Sequence, residues 1–137
     1  MNASDRGSTT IWMLGLSMLL LLFGGLALDY WRGLALQREL AAIADSAAIA
    51  AASGLDEETY RATGVVALDS DRATDLAMAA ITWQGAELSG ADIDVAPGSV
   101  TVTLTAEVEL GLLGVFVDQT DPLTVRAVAT AVPVLRP

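Results

Sequence analysis

Carboxylates are the side chains in this sequence with the number and spacing to do chemistry. Asp92 with Asp94, and Glu107 with Glu109, stand two apart, which puts each pair on one face of a strand. Such a pair supplies a general acid and a general base when burial drives the two pKa values apart. Here both pairs alternate with apolar residues, so the spacing predicts carboxylates facing water rather than an active site. Asp69, Asp71 and Asp75 approach a calcium-ligand spacing, but the glycine and closing glutamate of an EF-hand loop are missing, and helix capping accounts for the first two. Serines 17, 46, 53, 70, 89 and 99 have no histidine to activate them. There is no G-x-S-x-G, no phosphate-binding glycine loop and no P-loop lysine. No catalytic, cofactor-binding or metal site is expected, and no enzyme.

Composition narrows the field further. Seventeen acids against seven arginines give a net charge of −10, without lysine or histidine. Phosphate backbones and anionic lipid headgroups both need clustered positive charge, so nucleic acid is not an expected partner and a polybasic grip on lipid is disfavoured. The absence of cysteine removes disulfides, thiolate zinc sites and a cysteine nucleophile. With few aromatics, a core must be built mainly from Ala, Val, Leu and Ile.

The element that must position everything else is Ile11 to Leu28, a run without an ionisable side chain, bounded by Arg6 and by Asp29 and Arg32. As a helix it is ~27 Å long, close to the ~30 Å hydrocarbon thickness of a bilayer. It predicts a transmembrane helix, with residues 1–10 as a cytoplasmic stub, 29–54 as a helix extension and 55–137 as a small α+β extracytoplasmic head. Positive charge on the two flanks does not by itself settle orientation. A cleaved signal peptide is the alternative, because Gly25-Leu26-Ala27 offers small residues at the end of the run. The chain would then be a secreted or anchored module that binds a small ligand or a protein.

Beyond Leu28 only Gly33 weakens a stretch of good helix formers until Gly54, so the helix is expected to run from Ile11 to Ser53 with Gly54 as its C-cap glycine. Leu36, Leu40, Ile43, Ala47 and Ala50 form an apolar stripe at helical spacing. It fits packing on the chain's own domain and packing on other subunits equally. Leu55 to Val65 reads as a connection with room for a helical turn. A second helix is expected from about Asp71 to Gln84, with Ala73, Leu76, Ala77, Ala80 and Ile81 inward and Trp83 closing its packed end. Val100 to Leu110 then alternates strictly with Thr and Glu, Ile93 and Val95 precede it across a Pro97-Gly98 turn, and Leu123 to Ala131 alternates again. The expected fold class is α+β and membrane-anchored, with a long N-terminal helix, a second short helix and a three-stranded antiparallel sheet. The apolar link Gly111 to Pro122 reads as a flap over the sheet edge ahead of a partner surface.

Gly15, Gly24 and Gly25 would let a neighbouring helix approach closely in lipid. Asp29 and Arg32, three apart at the end of the run, can pair on one helix face, beside Tyr30 and Trp31 at headgroup level. With Asp45 in the Ala-rich extension, these are the candidate helix-packing residues.

Arg6-Gly7-Ser8, the apolar run, Leu28-Asp29-Tyr30-Trp31-Arg32, Leu36-Gln37-Arg38 and Ala41 to Ala50 together resemble the N-terminal signature of TadE/TadG-like proteins, pilin-like components of the Flp (tight adherence) pilus system. The resemblance covers Arg6 to Gly54. It implies a single-pass protein of the bacterial cytoplasmic membrane, N-terminus in and head out, whose long helix packs with other pilin-like or Tad assembly proteins in a hetero-oligomer. The family is structural, so no catalytic residue is carried over. Gly7 and Ser8 would flank a prepilin-peptidase site, but the fifth position after Gly7 is Trp12, where the family pattern resembles a glutamate. An unprocessed, membrane-retained minor pilin or assembly component is expected.

Overall fold

A computed structural model describes residues 3–109, 111 and 122–134, with side chains from Ser8 onward. Helix formers dominate the first third of the chain and no proline interrupts them. One helix results, α1 (Ala3–Ala52). Its most apolar eighteen-residue window has a mean hydropathy of 2.2 and is only 6% buried. A core helix of a soluble domain would be mostly covered, whereas this surface is long and apolar enough to cross a bilayer and is mostly uncovered.

The chain forms two compact units, residues 1–34 with 108–123, and residues 35–107 with 124–137. In the second unit, the end of α1 is followed by α2 (Glu57–Thr63), α3 (Ser70–Gln84), β1 (Gly90–Ala96), β2 (Ser99–Val108) and β3 (Leu123–Ala131). Local chemistry sets the boundaries of α2 and α3. Asp56 caps α2 by accepting the Thr59 N–H, Asp69 caps α3 by accepting from Asp71 and Arg72, and left-handed Gly64 and Gly85 end the two helices. Glu57 faces both Arg61 at 2.7 Å and Arg72 at 3.7 Å.

The sheet has the order β1-β2-β3 and is antiparallel, with Ile93 opposite Val102 and Val95 opposite Val100 across the Pro97-Gly98 turn. Its inner face supplies Val100, Val102, Leu104, Ala106, Ala127 and Ala129 to the core, and α1 supplies Leu40, Ile43, Ala44, Ala47, Ala48 and Ala51. The Ala-rich stripe is therefore spent on the chain's own sheet. It is also wider than the expected one, because Ala44, Ala48 and Ala51 are buried while Ala50 sits at its margin. α3 closes the core with Ala73, Ala77 and Ile81. A short bridge between Leu55 and Leu68 and the bond from the Leu68 N–H to the Pro97 carbonyl, 3.2 Å, tie the connection to the hairpin turn.

Two local expectations are corrected. Trp83 does not close the packed end of α3 but is 91% exposed. It lies on the outer flank of the helix, roughly 120° from the centre of the Ala73–Ala77–Ile81 face at about 100° per residue. Gly54 is no left-handed cap, since among the described residues only Gly64 and Gly85 have positive φ. It is small because α3 starts against it: a Cβ there would lie 2.9 Å from the Ala73 nitrogen and 3.1 Å from the Ala51 carbonyl oxygen. Leu110 and residues 112–121 of the expected flap lie outside the described residues.

Candidate functional site

The carboxylate pairs sit where their alternation puts them. Asp92, Asp94, Glu107 and Glu109 are exposed, and the register sets Asp92 opposite Thr103 and Asp94 opposite Thr101 on the outer sheet face. Thr101 and Thr130 meet there through their hydroxyls at 3.1 Å. Asp69 is engaged in capping, and among the described residues no three metal-ligating side chains converge. Asp56 has a carboxyl held below the usual Asp range, first by the Thr59 hydroxyl and then by the Thr59 backbone N–H, with desolvation opposing them and the Glu58 backbone N–H adding a lesser effect. That arrangement is a helix cap.

What remains is the surface of α1. Ser8 to Leu28 is exposed on all sides except at Gly25, which is buried. Nothing lies within 4 Å of where a Cβ would stand at Gly15 or Gly24. At Gly15 the missing side chain leaves an open apolar depression lined by Trp12, Leu16 and Leu19. Such a depression admits the ridge of another helix. Gly7 falls within α1, and Ser8 after it is exposed.

At the end of the apolar run Asp29 is 7% exposed, the one buried charged residue among those described. Its Oδ1 accepts the Gly111 N–H at 3.3 Å. A Cβ on Gly111 would lie 2.9 Å from that same oxygen and 3.3 Å from Arg32 Nη1, so the backbone at 111 approaches both side chains and only glycine fits without displacement. Asp29, Arg32 and Gly111 thus form one cluster. Tyr30 and Trp31 beside it are exposed, as amphipathic rings at a headgroup boundary would be. Asp45 is also exposed, between the buried alanines of the extension, and joins no other candidate residue. The contact between Asp29 and Gly111 spans 82 positions, and no local pattern announces it.

Residues 7–54 match the family model described as putative Flp pilus-assembly TadE/G-like. The match coincides with α1 and its last turn, the region on which the resemblance to TadE/TadG-like proteins rests. Neither a curated protein nor a solved structure matches the chain significantly.

Proposed function

We propose, with a TadE/G-like helix as the premise, that this chain is a non-enzymatic pilus-assembly component of the minor-pilin type, anchored in the bacterial cytoplasmic membrane. The observation that carries the reading is the division of labour within the matched helix: its N-terminal part is apolar and bare, while its C-terminal part is built into the chain's own small domain. Residues 11–28 span the bilayer, 1–10 stay in the cytoplasm, 29–54 extend the helix and 55–137 form the head outside. Function is then geometric. The spanning surface associates laterally with other pilin-like or Tad proteins in a hetero-oligomer, with Gly15 and Gly24 permitting close approach and the Asp29–Arg32 cluster fixing the backbone at Gly111. Trp12 in place of the family's glutamate favours retention of the whole chain over cleavage between Gly7 and Ser8.

Intact mass of the protein from the membrane fraction, combined with protease added to spheroplasts, tests this directly. A full-length chain whose head is digested from outside supports anchored, N-in topology. Loss of Met1 to Gly7 would replace retention by prepilin processing. Loss through Ala27 would overturn the anchor.

A further inference from the structure

Trp83 is the most exposed large apolar side chain among those described, at 91%, and it stands on a rigid support. α3 is held from beneath by Ala73, Ala77 and Ile81, and its last residue, Gln84, donates from Nε2 to the Ser46 hydroxyl of α1 at 2.6 Å. The left-handed Gly85 ends the helix directly afterwards. The ring is therefore presented from a fixed backbone, which lowers the ordering cost of burying it against a partner. Trp83 is also the end of a ridge. Asp71, Asp75, Ala79 and Trp83 follow one another at intervals of four and all are exposed, so they form one continuous outer row of α3. The row is acidic at its start and apolar at its end, with ~12 Å along the axis between Asp75 and Trp83 and ~18 Å between Asp71 and Trp83. Arg72 near its start leans to Glu57.

We propose that this ridge is a docking surface for a second protein, one that offers an apolar pocket to Trp83 and cationic side chains ~12–18 Å away to Asp75 and Asp71. Charge selects this occupant. Fifteen of the seventeen acids and five of the seven arginines follow Leu34, so the whole net charge of −10 belongs to residues 35–137. A second copy would bring the same excess of fifteen acids over five arginines against the ridge, and the arginine nearest the row, Arg72, already leans to Glu57. An anionic bilayer surface would repel the same two aspartates. A partner with Arg or Lys beside an apolar pocket satisfies both halves of the row. Trp at the end of a firmly supported helix is the residue type that dominates binding energy, and Asp71 and Asp75 act mainly on encounter rate and orientation. The inference rests on α3, its support and the charge of residues 35–137, and holds whether or not α1 enters a filament.

A photo-crosslinking residue at Ala79 of the full chain, expressed in the cells that make it, tests the proposal, with the same residue at Val128 on the outer sheet face as control. The expected result is an adduct at position 79 with a different polypeptide, whose cross-linked peptide lies beside Arg or Lys, and none at 128. Trp83→Ser should cut the yield about tenfold or more, and Asp71→Asn with Asp75→Asn about threefold. Trp83→Phe should retain most of it. Because Trp83 and both aspartates are exposed, sheet amide protection stays unchanged in all these variants. No adduct, an adduct to a second copy or to lipid, equal yields at 79 and 128, or indifference to Trp83→Ser would each overturn the proposal.

Discussion

Gly54→Ala should destabilise the head, although it replaces glycine at an ordinary backbone conformation. The added Cβ would stand 2.9 Å from the Ala73 nitrogen, 3.0 Å from its Cα and 3.1 Å from the Ala51 carbonyl oxygen. All three are backbone atoms of helices, so no flexible side chain can swing aside. The Gly54 carbonyl also accepts the Asp69 N–H at 2.9 Å, and Asp69 caps α3, so pushing the helices apart strains the cap. Overpacking of this kind costs about 1–3 kcal/mol, and the reduced freedom of the unfolded chain returns ~0.4–1 kcal/mol. The net expectation is a loss of about 1–2 kcal/mol. Gly98→Ala is the internal control, because nothing lies within 4 Å of its Cβ position and its φ is not positive. It should stabilise by ~0.4–1 kcal/mol. Urea titration of the full chain in detergent micelles, followed by hydrogen exchange at the β2 amides, reads both changes as shifts in midpoint at constant slope. If Gly54→Ala matched Gly98→Ala, steric contact with α3 would not be the reason for glycine at 54.

Leu104→Ala, at a fully buried β2 position, should cost ~2–5 kcal/mol in the same titration. Asp92→Asn with Asp94→Asn should change neither stability nor pilus assembly, since both carboxylates face water; loss of assembly with the fold intact would return a chemical role to the pair. The folded Asp56 pKa lies below its unfolded value, so its contribution to stability is present above the usual carboxylate range near ~3.9 and is lost as pH falls through the depressed pKa. Thr59→Val should move the Asp56 carboxyl titration, followed by NMR, upward toward the ordinary value; no movement would remove the hydroxyl as the cause. Asp29→Leu should accelerate hydrogen exchange at the Gly111 amide by removing its acceptor, and an unchanged rate would show that Asp29 does not hold that amide.

The legible parts of the chain are those where period alone decides. Alternation of Val, Leu and Ala with Thr in 99–108 fixes which face of β2 is dry, and its partners follow from the Pro97-Gly98 turn. Capping residues Asp69 and Gly85 bound α3 to within a residue. Three things were not legible, each for a physical reason. Trp83 has an inward residue type, yet its flank position outweighs its hydrophobicity. Gly54 has the sequence place of a cap, but close approach rather than φ demands it. Asp29 shows no sign of its distant partner, because Gly111 offers only a backbone N–H, which every non-proline residue carries.

Small residues on the inner face of α1 explain why the proposed lateral contacts fall to other surfaces. Ala44, Ala47, Ala48 and Ala51 let the helix lie close to a sheet whose own facing residues include Ala106, Ala127 and Ala129, and once buried they are unavailable to a neighbour. The outer side of the same segment keeps Ala41, Ala42, Asp45 and a 65% exposed Ile49. A row of identical copies would bring heads of charge −9 side by side, separated by little more than a helix diameter if the spanning helices touched. At physiological ionic strength the Debye length is only ~8 Å, so nearest neighbours would feel the repulsion and more distant ones would not. Interleaving with a less acidic subunit removes the nearest-neighbour term without altering any apolar contact in the membrane. In the proposed assembly the acidic head would thus favour mixing, even though the proposed span, bare of charge from Ile11 to Leu28, would accept its own copy. Raising salt should therefore promote self-association of the full chain in micelles. A salt-independent association constant would place the control of stoichiometry in the span instead.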